Sequence, residues 1–468
     1  MKRGVKMSLK SYIGDKAFYK KTLAIVLPMI IQNAVTNLVN MLDNFMVGRL
    51  GDEAVSSVAI DNQFIFVFNL AIFGAVSAAG IFTAQFNGRG DVEGVRNTMR
   101  MKMIICLLVG VFGIGIFSYF GDSLINSFIH DGEDVKGNLD LVFKLGQDYL
   151  KYTIIGLIPF AISQAYASTL RETGETVVPM VASWVSVAAN FLFNLLLIFG
   201  LCGFPELGVA GAAIATTISR FVEVIILVAW THINREKCPF IVHIFTDFRV
   251  PLPLVKQIAM KGAPILLNEL LWSLSVTMRN QCYSERSEFV VTGISIAFTL
   301  QNLLSVAYFA LSSGIAIIVG NLLGEGKLEE AKETDKKLLA FATFVGGVMT
   351  LVQICLAPLF PYLYDVSTEA REMSTFIMIC YALSMPAAAL ATSTYYTIRS
   401  GGRVFITMLF DSVYAWVIVM PVVYALTYLT NLPFEYILPI MLVVENLKLL
   451  PGLVLVNKGI WVRQLKTE

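Results

Sequence analysis

Charge is what this chain is short of. Of its 468 residues only 15% are Asp, Glu, Lys or Arg, while 56% are hydrophobic, and the mean hydropathy is +0.70. A soluble domain carries roughly 25% charged residues, so the chain reads as a polytopic membrane protein. The net charge of +1 gives no pull toward nucleic acid. Histidine is nearly absent: His130, His232 and His243 all fall outside the apolar runs. The six cysteines form no CxxC and share no metal-ligand spacing, which argues against a zinc centre and against a Cys/His nucleophile. Also missing are GxxxxGK[ST], HExxH, GxSxG and any loop large enough for a nucleotide-binding domain. The chain therefore has no residues for hydrolysing ATP, is expected not to be an enzyme, and calls for no resident cofactor or metal.

What is present is a series of long apolar runs. Twelve can be counted, near 22–47, 57–86, 99–120, 148–170, 177–200, 207–231, 257–283, 289–321, 337–362, 374–398, 404–430 and 433–457. Each is long enough to cross a bilayer as a helix. The basic N-terminus followed by an apolar run could imitate a signal peptide. The polar stretch from Gln32 to Asn40 and the lack of a small-x-small cleavage site instead predict an uncleaved first span.

The connections alternate in charge. One side collects 26 of the 35 basic residues, from Lys2, Arg3, Lys6, Lys10, Lys16, Lys20 and Lys21 through Arg89, Arg96, Arg100, Lys102 and Arg171. The set continues with Arg235 to Lys261, Lys327 to Lys337, Arg399, Arg403, Lys458, Arg463 and Lys466. The other side holds only Arg49, Lys136, Lys144, Lys151, Arg279, Arg286 and Arg371, and its connections near 121–148 and 363–373 are acidic. Positive-inside bias predicts a multi-pass cell-membrane protein with both termini and the 232–256 connection in the cytoplasm.

The chain also repeats itself. At an offset of 236 residues, Leu27-Pro28-Met29-Ile30-Ile31-Gln32 meets Ala263-Pro264-Ile265-Leu266-Leu267-Asn268, and Gln85-Phe86-Asn87-Gly88 meets Asn321-Leu322-Leu323-Gly324. Leu170-Arg171-Glu172-Thr173-Gly174 resembles Ile398-Arg399-Ser400-Gly401-Gly402 at a slightly shorter offset. Two halves of six spans each begin on the same side, the parallel-repeat arrangement of rocker-type transporters. The organisation expected is an N-terminal segment 1–21, a lobe 22–231, a Pro-bearing linker 232–256, a second lobe 257–457 and a tail 458–468. The halves differ chemically, because Asp43 corresponds to Arg279 and Asn33 to Glu269.

Polar groups inside the spans are the candidate working residues. Asn33, Thr36, Asn37, Asn40, Asp43 and Asn44 fall within roughly 120° of one helix face. An intramembrane carboxylate is costly unless it faces a bundle interior or a wet cavity, so Asp43 leads the candidates; a carboxylate satisfied structurally by its neighbours is the alternative. Asn190 and Asn194 share a face of the fifth span and can reach toward Asp43 or simply join helices. Arg220 with Glu223, and Glu445 with Lys448, are three apart and are expected to form structural ion pairs. Gln32, Asn33, Asn268, Glu269, Trp272 and Asp411 are candidate cavity residues, with Asp411 alternatively pairing with Arg220 or Lys448. Asp61 stands nearer an outer end and is less informative. Aromatics make up 12% of the chain, a share compatible with an aromatic pocket for flat cations without requiring one.

These motifs resemble the multidrug and toxic compound extrusion (MATE) family. The residues that carry the resemblance are Pro28, Gln32, Asp43, Val47-Gly48, Leu50-Gly51 and Ala54, then Ala84-Gln85 and Gly88-x-Gly90-Asp91. It continues through Arg171-x-x-Gly174, Pro179, Asn190, Asn194 and Gly208-Val-Ala-Gly211-Ala-Ala-Ile-Ala-Thr216. The resemblance implies an all-α fold of twelve transmembrane helices in two six-helix bundles forming a V. It also implies export of organic cations or other amphiphiles in exchange for H⁺ or Na⁺, with the carboxylate matching Asp43 as a coupling residue. Asn40, Asn190 and Asn194 are then its expected companions, Na⁺ at Asp43 is an alternative to a proton, and a monomer in the lipid bilayer is expected. The chain departs from the pattern in two places. Some members carry a second Asp where Asn194 stands; others have carboxylates in the seventh and tenth spans, whereas here Glu269 comes about one turn early and the tenth span has none. The rival readings are a lipid-linked substrate flippase of related architecture, which would call for a more basic cavity, and a non-transporting receptor or scaffold, which leaves the repeat and the buried carboxylates unexplained.

Overall fold

The computed structural model describes residues 12–128, 138–247, 249–364 and 366–465. Lys2, Arg3, Lys6, Lys10, His130, Lys136 and Lys466 lie outside them. Among the described residues there is no strand, as the composition predicts. The amino-terminal helices are α1 (Lys16–Gly48), α2 (Asp52–Arg89), α3 (Val92–Phe128), α4 (Leu139–Thr153), α5 (Leu157–Glu172), α6 (Val177–Ile198) and α7 (Gly208–Ile233). After the connection come α8 (Leu252–Ser284), α9 (Glu288–Gly324), α10 (Leu328–Leu356), α11 (Thr368–Ser400), α12 (Val404–Met408), α13 (Met420–Tyr428), α14 (Phe434–Asn446) and α15 (Leu449–Asn457).

Eleven described helical stretches are long and apolar enough to cross a membrane. Three of them are composite. A 3₁₀ turn at Ile154–Gly156 joins α4 to α5 just ahead of Pro159, where the missing proline N–H breaks the α-helical ladder. Two π-helical segments, Leu409–Val413 and Ala415–Val419, join α12 to α13, and α14 runs into α15. The seventh expected span, α8, is the one not among these eleven, although it has the length at 33 residues. Its apolar run is diluted by Asn268, Glu269 and Arg279. Helices overrun the apolar runs because their ends add polar turns, as Lys16–Lys21 do on α1 and Leu328–Lys337 on α10.

The described residues pack into two compact units. The amino-terminal unit comprises Ile31–Thr83 and the described part of Asp91–Ile258. The carboxy-terminal unit comprises Ala84–Gly90 with the described parts of Met1–Ile30 and Ala259–Glu468. The amino-terminal core joins Met46, Val47, Val58, Tyr149, Ile198, Val209 and Ala213. The 232–256 connection is tied to α3 in that unit: Arg100 donates to the carbonyls of His243 and Ile244 at 2.8 and 3.1 Å, and Arg96 to that of Phe240 at 3.2 Å. Cys238 in this connection is fully buried, and burial pushes its thiol up to about 11. Lys102, counted among the loop cations by its place in the sequence, is instead fully buried on α3. Its ammonium contacts Glu172 and donates to Ser168 and Thr169 at 3.0 and 3.2 Å.

The carboxy-terminal unit has a large core around Val290, Ala297, Ile377, Met378, Val423 and Ile437 and a second around Ile315, Leu323, Leu338 and Trp461. The repeated segments meet here. A Cβ on Gly88 would stand 2.0 Å from the Asn321 carbonyl oxygen, and one on Gly324 would stand 2.0 Å from that of Gln85. Under the 236-residue offset these contacts exchange, since 85 maps to 321 and 88 to 324. The crossing is reciprocal in the manner of a two-fold interface. Asn87 donates to Asn321 at 2.7 Å beside it. Gln85 also holds the C-terminal stretch, donating to the Ser400 carbonyl at 3.0 Å and accepting from Leu465 N–H at 2.8 Å.

Candidate functional site

In the amino-terminal unit, three helices bring polar groups to one place. Asp43 projects from α1, Asn190 and Asn194 from successive turns of α6, and Thr216 from α7. Asn194 Nδ2 donates to Asp43 Oδ1 at 2.5 Å. With the Asn190 amide turned so that its nitrogen faces Asp43, that nitrogen lies 2.9 and 3.1 Å from the two carboxylate oxygens, and its oxygen accepts from the Thr216 hydroxyl at 3.2 Å. Asn190 and Asn194 are 5% and 1% exposed, so the site has a dry floor. Asp43 itself is half-buried. The four-residue spacing in NFLFN aligns both amides on one face of α6, as helical periodicity requires.

Two features set this carboxylate apart. No Lys or Arg stands within ion-pair distance of Asp43 among the described residues; Arg220 acts on it only at longer electrostatic range. In addition, Asn194 Oδ1 is buried with no hydrogen-bond partner. A buried amide oxygen is normally paired. An unpaired one beside a carboxylate, with a hydroxyl and a second amide close by, leaves an oxygen-rich place suited to a small hard cation or a hydronium-like proton carrier. Asn40, expected as a companion, is exposed and makes no hydrogen bond to Asp43 among the described residues. Thr216 takes its place. In the sequence it is visible only as the last residue of the Gly208–Thr216 motif.

Arg220 and Glu223 do pair, loosely, at 3.9 Å on α7. Ser163 adds a hydrogen bond to Glu223 at 3.3 Å, and the Arg220 guanidinium lies 4.5 Å from the Phe160 ring centre. Gln32 is nearly buried, and its carbonyl accepts from Thr36 at 2.9 Å. Asn33 is exposed.

The carboxy-terminal unit arranges its charges differently, and one expectation needs correction. Glu445 and Lys448 form no salt bridge with each other. Glu445 takes Arg279 of α8 at 2.6 Å, and Lys448 takes Asp411 at 2.8 Å. The reason is that neighbouring helices offer each group an opposite charge at hydrogen-bonding distance, which outweighs an i,i+3 neighbour on its own helix. Arg279, assigned by sequence to an outer connection, instead lies on α8 and is an interhelical partner in this network. Of the two partners left open for Asp411, the structure selects Lys448. Asp411 Oδ2 also accepts from Asn268 at 3.2 Å, and Ser412 donates to Asn268 Oδ1 at 2.6 Å. Asp411 and Ser412 both sit in the first π-helical segment, and such widened turns are common at functional positions. Glu269 is half-buried and lies within electrostatic reach of Arg399 and Asp411. Trp272 is 38% exposed and lies one turn past Asn268. Arg399, read by sequence as a loop cation, is 4% exposed and packs against the Tyr395 and Tyr396 rings. Among the described residues no cluster of His, Cys, Asp or Glu has the makings of a transition-metal centre.

Comparison with known proteins bears on the whole chain. It is 27% identical over 317 residues to a probable multidrug resistance protein NorM of Thermotoga maritima, covering 66% of this chain and 64% of that protein. With a NorM-named protein of Bradyrhizobium diazoefficiens it shares 24% identity over 437 residues, 90% of this chain and 89% of the other. In fold it matches a crystal structure of a MATE protein in complex with MaL6, with a TM-score of 0.84 at 19% identity across 98% and 99% of the two chains. The sequence model of the MatE family matches residues 28–196 and 264–436, one match in each half of the repeat. On that match the chain belongs to the MatE family, the multidrug and toxic compound extrusion transporters, and is a multi-pass membrane protein.

Proposed function

We propose that the protein is a secondary active efflux antiporter that exports organic cations and related amphiphiles in exchange for H⁺ or Na⁺. The observation that carries this reading is Asp43, a carboxylate with no basic partner at contact distance, met by Asn194, Asn190 and Thr216. An ion that neutralises Asp43 changes the balance between two arrangements of the protein only if it binds one of them better. The neighbouring unpaired Asn194 oxygen would gain a partner when the ion is seated, which favours the loaded form of the arrangement seen here. The membrane potential adds about 2.3 kcal/mol per charge per 100 mV to inward ion movement.

The two sequence repeats, 22–231 and 257–457, then act as the rocking lobes, with 232–256 as the cytoplasmic connection and 1–21 and 458–468 as cytoplasmic tails. The protein works as a monomer in the cell membrane. Multidrug resistance is named for its NorM relatives, and the unpaired carboxylate fits cationic cargo better than the anionic headgroup a lipid-linked flippase would carry. The test is ethidium efflux from proteoliposomes under an imposed pH or Na⁺ gradient. Efflux driven by one gradient in wild type and lost in Asp43→Asn supports the reading and identifies the ion; gradient-driven efflux that survives the substitution overturns Asp43 as the coupling group.

A further inference from the structure

Asp61 of α2 is the most isolated ionisable group among the described residues. It is 0% exposed, and neither carboxylate oxygen has a hydrogen-bond partner. The hydroxyl one turn before it on its own helix, that of Ser57, donates instead to the Ala54 carbonyl at 2.9 Å. On the facing helix α4 stands Gly146, where an added Cβ would lie 3.6 Å from Asp61 Oδ2 and 3.4 Å from Ile125 of α3. Gly146 and the fully buried Ile125 thus stand in the same packed region as the carboxyl group. Other buried acids have donors: Asp335 accepts from Thr397 at 2.6 Å and Glu223 from Ser163 at 3.3 Å. Among the described residues no oxygen-bearing group is hydrogen-bonded to Asp61, which favours a proton over Na⁺ as the cation held here.

Leaving a carboxylate ionised here, without donor or counter-ion, would cost far more than neutralising it. The charged and titratable groups on the surrounding elements do not change this. Tyr149 of α4 is within electrostatic reach of Asp61, as it is of Asp43 and Arg220. Asp122, on α3 toward the same end, accepts from Gln147 of α4 at 2.8 Å, and no Lys or Arg pairs with Asp61 among the described residues.

We propose that Asp61 is a second proton-binding site of this transporter, filled in the arrangement seen here and emptied when α4 moves off α2 and admits water. The proton is held on one carboxyl oxygen and leaves to that water. Gly146 presents no side chain to the carboxyl group at this seam, so none has to be displaced on opening. Asp61 holds its proton in this packing whether or not Asp43 is the coupling group.

The test is infrared spectroscopy of the full-length protein in lipid, following the carbonyl stretch of protonated, non-hydrogen-bonded carboxylic acid. At neutral pH wild type and Asp43→Asn should both show this band, Asp61→Asn should lack it, and alkaline titration should bleach it in wild type. A band of equal intensity in Asp61→Asn, or no such band in wild type, overturns the proposal. If Asp61→Asn does not fold, Asp61→Glu serves: a proton on this residue predicts a shifted band, and an unshifted band overturns it. The band reports protonation rather than transport, so failure of Asp43 as the coupling group in the efflux assay would leave the spectrum expected of Asp61 unchanged.

Discussion

The two units carry the two halves of one repeat yet hold intramembrane charge differently. In the carboxy-terminal unit Arg279 pairs with Glu445 and Lys448 with Asp411, which Asn268 also bonds, while Glu269 has no ion pair among the described residues. The amino-terminal unit has pairs too, Arg220 with Glu223 and Lys102 with Glu172, but Asp43 meets only amides there, and Asp61 has no hydrogen-bond partner among the described residues. Compensated charges fix helix register; uncompensated ones respond to whatever cation arrives. The repeat registers this divergence most sharply where Asp43 of one half is Arg279 of the other. One half keeps an acid available, and the other fills the same place with a base that an acid on a neighbouring helix then neutralises.

That contrast is most exposed at Asp43. Asp43→Asn should abolish gradient-driven efflux while leaving thermal unfolding nearly unchanged, since the amide retains the shape and no ion pair is broken. In the other unit the order reverses. Asp411→Asn leaves the Lys448 ammonium without its carboxylate, and removing one member of a buried pair costs on the order of 3 kcal/mol. The unfolding midpoint should fall clearly. Combining it with Lys448→Gln should recover most of the loss, because coupled residues are not additive. A double variant as unstable as the single one would show that Asp411 matters for something other than Lys448.

How much of this is readable in the sequence follows from the range of the forces involved. Span count, the repeat and the all-α class are set by apolar runs and local periodicity, and these are written along the chain. Asp43 is legible because a polar stripe on an apolar helix cannot face lipid and must turn to a bundle interior or to water. Partners are not legible. Glu445 and Lys448 look like a pair from their spacing, yet interhelical neighbours win, and spacing along one helix says nothing about what the next helix presents. Asp61 is obscured because its place near the span's end suggests a wet position; only the packing of Gly146 and Ile125 against it makes it dry. Asn40 fails for the complementary reason, since a shared helix face does not guarantee a shared neighbour.

The reciprocal crossing of the repeats gives a symmetric test. Gly88→Ala and Gly324→Ala each drive a Cβ against a backbone carbonyl that cannot turn aside. Each should destabilise the carboxy-terminal unit by about 1–3 kcal/mol, lowering the unfolding midpoint to a similar degree. A large effect at one glycine alone would mean that the two halves of the crossing have ceased to be equivalent.

The smallest effect should come from Thr216, and it bears most directly on which ion Asp43 receives. Thr216→Val keeps the β-branched shape on α7 and removes one hydroxyl, which contributes about 1 kcal/mol as a single hydrogen bond or oxygen ligand. If Na⁺ is the coupling ion, the Na⁺ concentration for half-maximal efflux should rise roughly fivefold, with the maximal rate preserved. A proton needs no oxygen shell. For H⁺ coupling the same substitution should leave the gradient dependence nearly unchanged, because Asn190 can still face Asp43 without its Thr216 donor. The size of this one shift therefore separates an ion held by several oxygens of the amino-terminal unit from one carried by a single carboxylate.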